Sequence, residues 1–295
     1  MSRPIGYTSL RAQLRVRVNN RQALLGWLRT LRYLLVQGPW RPWLVRYYAA
    51  RNANPPLAAN APTLLEGFDA PAAARDLDRS ALTRRFEVPA EIVSGIIDWV
   101  KGIEASRIDD PHVDCPGVNR LAHDPRTVEV ARRFLGAEPV LFTSKLYWTR
   151  PRRDADGNLH GAAEHGQFHY DLADVKAVTL FVYLSDVDED SGPHVVIPGT
   201  QRRVTPGQIL RRTIDEAYVA KHYANRSEPI LGPSGTAWFE DITCYHKQAV
   251  GSKVRLMLSI IYSLHRRPLE DLEMRPANGN DSRPADRMPL VRAAG

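Results

Sequence analysis

The chain has 295 residues, of which 43% are hydrophobic, and a net charge of +7 at neutral pH. This length is enough to bury one sizeable core, and no apolar run approaches the roughly 18 residues that a membrane-spanning helix needs. Two cysteines are too few for a disulfide framework or a zinc site, so we expect a soluble protein in a reducing, cytoplasmic setting.

The positive charge is concentrated at the amino terminus. No Asp or Glu occurs from Met1 to Leu65, whereas ten arginines lie between Arg3 and Arg51. The rest of the chain is therefore close to neutral. Since nucleic-acid binding needs basic residues spread over a docking surface, no nucleic-acid partner is expected.

Residues 21–51 alternate arginine with leucine, tryptophan and tyrosine at helical spacing. This pattern predicts two short amphipathic helices broken near Gly38 and Pro39. Two interpretations stay open. The apolar faces pack against the main domain or a second subunit, or residues 1–52 make peripheral contact with an anionic membrane. An Arg-rich transit peptide would have a similar composition. The oligomeric state is not predicted.

A Pro- and Ala-rich linker over residues 52–62 divides the chain. We expect an amino-terminal extension over 1–62, a main domain over 63–270 and a polar tail over 271–295. Helical spacing predicts helices over Glu91–Glu104, Arg126–Leu135 and Gln208–Tyr223.

From Pro139 onward the sequence consists of short β-rich runs bounded by turns. The predicted strands are Val140–Thr149, Val178–Leu184, His194–Ile197, Thr236–Phe239 and Val254–Leu264. Short antiparallel strands with long connections indicate a mainly-β fold with flanking helices, namely a double-stranded β-helix of the jelly-roll, cupin-like kind.

The run Gln167-Phe168-His169-Tyr170-Asp171 lies within the β-rich half. Side chains two apart in a strand share a face, so His169 and Asp171 can converge on one point inside a barrel. His246, about 75 positions downstream, is the candidate third ligand. Two imidazoles and one carboxylate form the facial triad of non-haem iron(II) oxygenases, which leaves open coordination positions for a 2-oxo acid and O2.

Arg255 follows on the next predicted strand, within the apolar run Val254-Arg255-Leu256-Met257-Leu258. A lone arginine in such a run needs a buried partner. Its planar guanidinium can hold a carboxylate with two parallel hydrogen bonds, as lysine cannot. We therefore expect Arg255 to bind the distal carboxylate of 2-oxoglutarate.

The segment from Phe181 to Thr200 combines a strand, an acidic turn ending in Ser191-Gly192, and the stretch Val196-Ile197-Pro198-Gly199-Thr200. Together with the metal motifs and the arginine, it resembles the phytanoyl-CoA dioxygenase family over about residues 139–264. No resemblance extends over the first 62 residues. The interval from the distal histidine to the arginine is about two residues shorter than the family usually has.

The resemblance implies an iron(II)- and 2-oxoglutarate-dependent dioxygenase. It implies His169, Asp171 and His246 as ligands, Arg255 as the 2-oxoglutarate arginine, and Phe181 and Leu146 as cofactor-lining residues. It also implies hydroxylation of a small molecule, such as a specialised metabolite or amino-acid derivative, with release of succinate. A lipid or lipid-linked glycan at the membrane, or a non-catalytic cupin-like binding protein, are the alternatives.

Other polar residues have simpler interpretations. His160, Glu164 and His165 miss the spacing of a zinc-protease helix by one residue. His194 is interpreted as a structural histidine. Cys244 shares a predicted strand face with His246, and it is interpreted as a small apolar filler.

Overall fold

A computed structural model describes residues 31, 34–60, 62–153, 159–160, 166–202 and 205–265. Its helices are α1 (Arg41–Ala50), α2 (Ala70–Ser80), α3 (Ala90–Val100), α4 (Pro116–Ala122), α5 (Pro125–Leu135), α6 (Pro206–Leu210) and α7 (Glu216–His222). Its strands are β1 (Phe86–Glu87), β2 (Arg107–Asp109), β3 (Val140–Thr149), β4 (Arg152–Arg153), β5 (Leu159–His160), β6 (Phe168–His169), β7 (Ala177–Tyr183), β8 (His194–Ile197), β9 (Thr213–Ile214), β10 (Glu228–Ile230), β11 (Thr236–Glu240), β12 (Tyr245–Gln248) and β13 (Arg255–Ser263).

Two antiparallel sheets form the body of the protein. One has six strands in the order β1-β11-β7-β13-β3-β2, and the other has five in the order β10-β8-β12-β6-β9. β4 and β5 pair separately. The two larger antiparallel sheets, together with the flanking helices, confirm the predicted mainly-β, jelly-roll class.

The long strand β13 shows how the six-stranded sheet separates two cores. Leu258 and Ile260 pack among the helices, whereas Met257 and Ile261 pack between the sheets. This alternation follows from the two-residue repeat of a strand. Because both faces are covered, every residue of β13 is buried, which explains the continuous apolar run in the sequence.

The helices on the outer face of this sheet begin and end as their sequences indicate. The Asp124 side chain accepts from the first backbone amides of α5, and Gly136 ends the helix in the left-handed region at φ 73°. α3 ends at Val100, four residues before the predicted limit, and Gly102 at φ 81° turns the chain away.

The single helix predicted over Gln208–Tyr223 is wrong, because the segment contains α6, β9 and α7. Tyr170, the residue after β6, holds this segment by two hydrogen bonds: its Oη donates to Ile209 O at 2.5 Å, and its amide donates to Arg212 O at 3.2 Å. Asp215 then begins a new helix by accepting from the Tyr218 amide at 2.7 Å.

The amino-terminal segment packs on the domain through a few residues. Residues 34–37 are helical, and the predicted break near Gly38 and Pro39 is confirmed by the turn that precedes α1. Val36 is buried in a cluster with Phe168 and Tyr170. Most of the predicted first helix lies outside the described residues. None of the helices in the described part of the chain combines the length and the hydropathy of a membrane span.

The linker predicted over residues 52–62 runs along the domain surface. The side-chain amides of Asn52 and Asn54 both donate to Glu138 O and Leu264 O, at 2.8 to 3.2 Å. The boundary at residue 62 remains a prediction, and the tail over 271–295 lies outside the described residues.

We predict that Asp124→Ala lowers the free energy of unfolding by about 3 kcal/mol, because a helix cap and further buried hydrogen bonds are lost together. The Asp124 carboxylate is buried and also accepts from Thr63 Oγ1 at 2.9 Å and the Leu64 amide at 2.5 Å. Asp215→Ala, which removes a cap with one side-chain bond, should cost about 1 kcal/mol. Urea unfolding measures both free energies, and equal losses in Asp124→Ala and Asp215→Ala would contradict this prediction.

Candidate metal centre

Strands β6 and β12 bring the three predicted ligands to one point. His246 lies directly opposite His169 in the antiparallel register, and the centroids of their rings are 4.6 Å apart. Asp171, two residues after His169, places Oδ2 at 3.6 Å from His246 Nε2. One ligand atom from each residue lies within 4.8 Å of the others, which is the spacing of a candidate metal site.

The backbone fixes which nitrogen of each imidazole can bind a metal. His169 Nδ1 is 2.9 Å from Gln167 O, and His246 Nδ1 is 3.1 Å from Cys244 O. A carbonyl oxygen only accepts, so each Nδ1 carries the proton, and each Nε2 keeps its lone pair for a metal ion.

The electrostatics of the centre favour a cation. Partial burial opposes ionisation of Asp171, but its hydrogen bond to His246 and the charges of His246 and His169 bring its pKa well below the ordinary range. Burial likewise opposes protonation of His246, yet the Asp171 carboxylate raises its pKa. Both shifts have one cause, a carboxylate beside an imidazole, and a divalent metal ion satisfies the pair better than a proton does.

The two ligands differ in exposure. The Asp171 side chain is 46% exposed and that of His246 only 7%. The centre is therefore open to solvent on the side of the aspartate and closed on the side of the distal histidine.

Arg255 begins β13 and is one of the largest fully buried side chains. Its Nη1 donates to Gly192 O at 2.5 Å and its Nη2 to Thr149 Oγ1 at 3.3 Å. Its Nε is buried without a hydrogen-bond partner, and Arg255 forms no ion pair with any residue in the described ranges. A buried guanidinium without a counter-ion is unfavourable, so this position calls for a bound anion.

Gly192 allows the close contact that holds Arg255. Its φ is +63°, and a Cβ there would lie 2.8 Å from Ala249 O. Only glycine fits this backbone conformation without strain. The predicted Ser-Gly turn therefore has a physical role, since it presents a carbonyl to the guanidinium.

Phe181 lies on the inward face of β7. Its ring stacks on Trp238 at 5.3 Å and contacts His194 at 5.2 Å. It belongs to the apolar cluster between the sheets, together with Met257. Phe181 therefore occupies a position from which a side chain lines the space near the candidate centre.

Leu146 does not line that space, which corrects the prediction made for it. It pairs with Leu258 and Ile108 and is fully buried in the cluster that faces the helices. The neighbouring Tyr147 packs on the inward side, where burial raises the pKa of its hydroxyl and the charge of Arg255 opposes that rise. A shift of one residue moves a side chain to the other face of a strand. Assigning the family's cofactor-lining position to Leu146 from its distance along the chain therefore selected the wrong face.

Sequence reasoning missed Glu240, a fully buried carboxylate beside the centre. Its Oε2 accepts from Trp238 Nε1 at 3.0 Å and lies 2.9 Å from His194 Nε2. Although burial opposes ionisation, the charge and hydrogen bond of His194 lead the interactions that hold the pKa of Glu240 at about 2. The predicted strand ended at Phe239, whereas β11 includes Glu240. Because Glu240 is two residues after the inward-facing Trp238, strand alternation could have placed it on the inward face.

His194 and Cys244 are also on the inward side. The His194 ring stacks against that of His246, with centroids 5.3 Å apart and planes at 26°. Cys244 Sγ lies 3.5 Å from Glu240 Oε1. Neither residue is only a filler of the apolar core, since both contact the carboxylate. The pattern formed by Glu164 and His165 with His160 lies outside the described side chains.

A jelly roll with two histidines and an aspartate between its sheets defines a class of metal-dependent oxygenase folds. The profile of the family described as "Phytanoyl-CoA dioxygenase (PhyH)" matches residues 72–250. The chain belongs to the phytanoyl-CoA dioxygenase family. This finding confirms the predicted resemblance.

Individual relatives match over shorter segments. An ectoine dioxygenase of Bordetella parapertussis is 29% identical over 92 residues, which are 31% of this chain and 30% of the relative. An ectoine dioxygenase of Sphingopyxis alaskensis is 29% identical over 117 residues, 40% of this chain and 38% of the relative. The chain thus matches about a third of the length of these curated relatives.

One solved structure shares the fold at a TM-score of 0.52. It is the epimerase SnoN in complex with Fe3+, alpha ketoglutarate and nogalamycin RO, 16% identical, with 72% of this chain and 92% of that chain covered. At this identity the likeness concerns the architecture and supports the jelly-roll assignment.

We predict that Leu146→Ala destabilises the protein by about 2–5 kcal/mol, because it opens a cavity between the sheet and the helices. The affinity for Co(II), used as an air-stable substitute for Fe(II), should stay within twofold of wild type. Thermal unfolding and a cobalt titration measure the two effects. A large loss of metal affinity with little loss of stability would place Leu146 at the centre after all.

Proposed function

We propose that this chain is an iron(II)- and 2-oxoglutarate-dependent dioxygenase in which His169, Asp171 and His246 hold the iron. The observation that carries the proposal is Arg255, a buried guanidinium with no counter-ion among the described residues. Its Cζ lies 5.8 Å from the centre of the Tyr183 ring, which belongs to the apolar cluster between the sheets. 2-Oxoglutarate has the two features this arrangement requires: a 2-oxo acid end that chelates a metal and a distal carboxylate.

The donor set fits ferrous iron. Two imidazole nitrogens and one carboxylate leave three positions of an octahedral ion open, and this set is typical of non-haem iron oxygenases. When bound, the iron would supply the site at which O2 and 2-oxoglutarate react to oxidise the substrate. The protein side chains would bind and orient the cosubstrate and the substrate and exclude water.

The residues around the centre divide these tasks. Arg255 would orient 2-oxoglutarate through its distal carboxylate with charge-assisted hydrogen bonds. Phe181 and Met257 form an apolar wall that keeps water from the buried end. Asp171, on the exposed side, leaves the open direction for the substrate.

The substrate we propose is a small organic molecule hydroxylated at an aliphatic carbon, such as a specialised metabolite or amino-acid derivative. The name of the matched relatives, ectoine dioxygenase, supports a small-molecule substrate. We place the enzyme in the cytoplasm, in keeping with two free, buried cysteines.

The direct test is succinate release from 2-oxoglutarate by protein reconstituted with Fe(II) under air. We expect turnover in wild type, none above background in His169→Ala, and a rise in the KM for 2-oxoglutarate of about 30-fold in Arg255→Lys, because the paired hydrogen bonds are lost. Co(II) binding should remain in the arginine variant. Equal succinate background in wild type and His169→Ala would leave the non-catalytic binding protein as the function.

A second proposal concerns a lipid or lipid-linked substrate at a membrane surface. Large apolar side chains are exposed along the amino-terminal segment: Leu31, Leu35, Trp40, Trp43, Tyr47 and Tyr48. Trp43 is 64% exposed. The segment contains arginines and no acid, which favours contact with an anionic bilayer.

This proposal predicts co-sedimentation of the full chain with vesicles of phosphatidylglycerol and phosphatidylcholine, and weaker binding to phosphatidylcholine alone. Joint Trp40→Ala and Trp43→Ala substitution should reduce the bound fraction about tenfold, because apolar side chains anchor such helices. Val113→Ala is the matched control, since Val113 is equally exposed elsewhere at 65%. Binding that is absent, or unchanged in the double variant, would remove the membrane proposal.

A further inference from the structure

Glu240 is a buried carboxylate placed between apolar side chains. It ends β11, is fully buried, and forms its contacts with inward-facing groups. Trp238 Nε1 can only donate, so it fixes Oε2 as an acceptor at 3.0 Å. Removing a carboxylate from water costs several kcal/mol, and an apolar residue of similar size would fill the space more cheaply.

The carboxylate lies directly against the distal histidine of the candidate centre. Oε1 is 3.5 Å from His246 Nδ1, on the side of the ring opposite the nitrogen that faces the metal position. The hydrogen on Nδ1 already points to Cys244 O. The negative charge therefore acts on the ring as a whole, and it increases the electron density available at Nε2.

Glu240 also acts on the same ring through His194. Oε2 lies 2.9 Å from His194 Nε2, and the His194 ring stacks on that of His246. His194 also contacts Phe181, with the ring centroids 5.2 Å apart. The Glu240 carboxylate thus holds the His194 ring, and the His194 ring in turn packs against the ring of His246.

We propose that Glu240 is a positioning residue for His246, setting both the orientation of the imidazole and its strength as a metal ligand, with His194 as the intermediate. The inference rests on the proposed function, since it assigns His246 to a metal. It extends that function to two residues outside the metal triad. It explains why a carboxylate is kept in the core between the sheets.

The test compares two neighbouring buried acids. Glu240→Gln keeps the size of the side chain but removes its charge. Its amide nitrogen would replace one of the two carboxylate oxygens, either the one near His246 Nδ1 or the one that contacts His194 Nε2. Asp241→Asn is the matched control, because Asp241 is buried one residue later but accepts from Thr243 Oγ1 at 2.6 Å and faces Arg41. Both are titrated with Co(II) in the full chain, and the dissociation constant, the ligand-field absorption spectrum and the thermal midpoint of the metal-free protein are recorded.

We expect Glu240→Gln to raise the Co(II) dissociation constant about tenfold or more and to alter the absorption spectrum, as loss of a carboxylate behind a metal-bound histidine does. Asp241→Asn should lower the thermal midpoint and leave the dissociation constant within twofold. Glu240→Asp keeps the charge one methylene further away, so it should give an intermediate loss, and it serves as the test if Glu240→Gln does not fold.

A dissociation constant within twofold of wild type in the Glu240 variants that fold would overturn this inference, whatever their thermal midpoints. If wild type itself binds no Co(II), the proposed function fails instead, so the two failures are distinguishable. Restoration of affinity in Glu240→Asp relative to Glu240→Gln would show that the charge is needed in addition to the volume.

Discussion

The pairing of β6 with β12 is the constraint on which the candidate site depends. β6 contains two residues, and one register pair places His169 opposite His246. A slip by one residue would turn an imidazole outward and bring an aromatic neighbour into its place. The pairing is held from outside the strands, since Tyr170 Oη and the Tyr170 amide both bond to the chain around β9. The segment from Ile209 to Arg212 thus stabilises the register of the candidate ligands.

The charges between the sheets are complementary to one kind of ligand. At one end, two imidazoles and Asp171 require a cation, as the opposite shifts of the Asp171 and His246 pKa values indicate. At the other, Arg255 requires an anion. A metal ion alone would satisfy the first end and a simple carboxylate the second. A metal chelated by a 2-oxo diacid satisfies both, and this is the physical basis of the proposed cofactor pair.

The limits of five strands, to within one residue, and the three candidate ligands could be predicted from sequence, because burial and period-two spacing are visible in the order of apolar and polar residues. β3 and β8 have the predicted bounds. Leu146 was placed on the wrong face because spacing to a distant motif does not fix strand phase. The helix over 208–223 failed since tertiary hydrogen bonds overrode local periodicity. Glu240 was missed because a lone acid at a strand end usually faces solvent, and only its contacts with His194 and Trp238 show otherwise.

The turn from β11 to β12 connects these features. It carries Ile242, whose carbonyl accepts from the Asp171 amide at 2.9 Å, and Cys244, whose carbonyl accepts from His246. Arg41 reaches this turn from the amino-terminal segment, with Nη1 at 3.2 Å from Thr243 Oγ1 and Nη2 at 3.6 Å from Asp241. Asp171 and His246 are therefore both held by the four-residue turn 241–244, and Arg41 contacts the side chains of this turn. Because both ligands depend on the carbonyls of Ile242 and Cys244 and not on the side chain of Asp241, only a shift of this backbone would displace them together. His169 instead takes its orientation from the carbonyl of Gln167, two residues earlier in the chain.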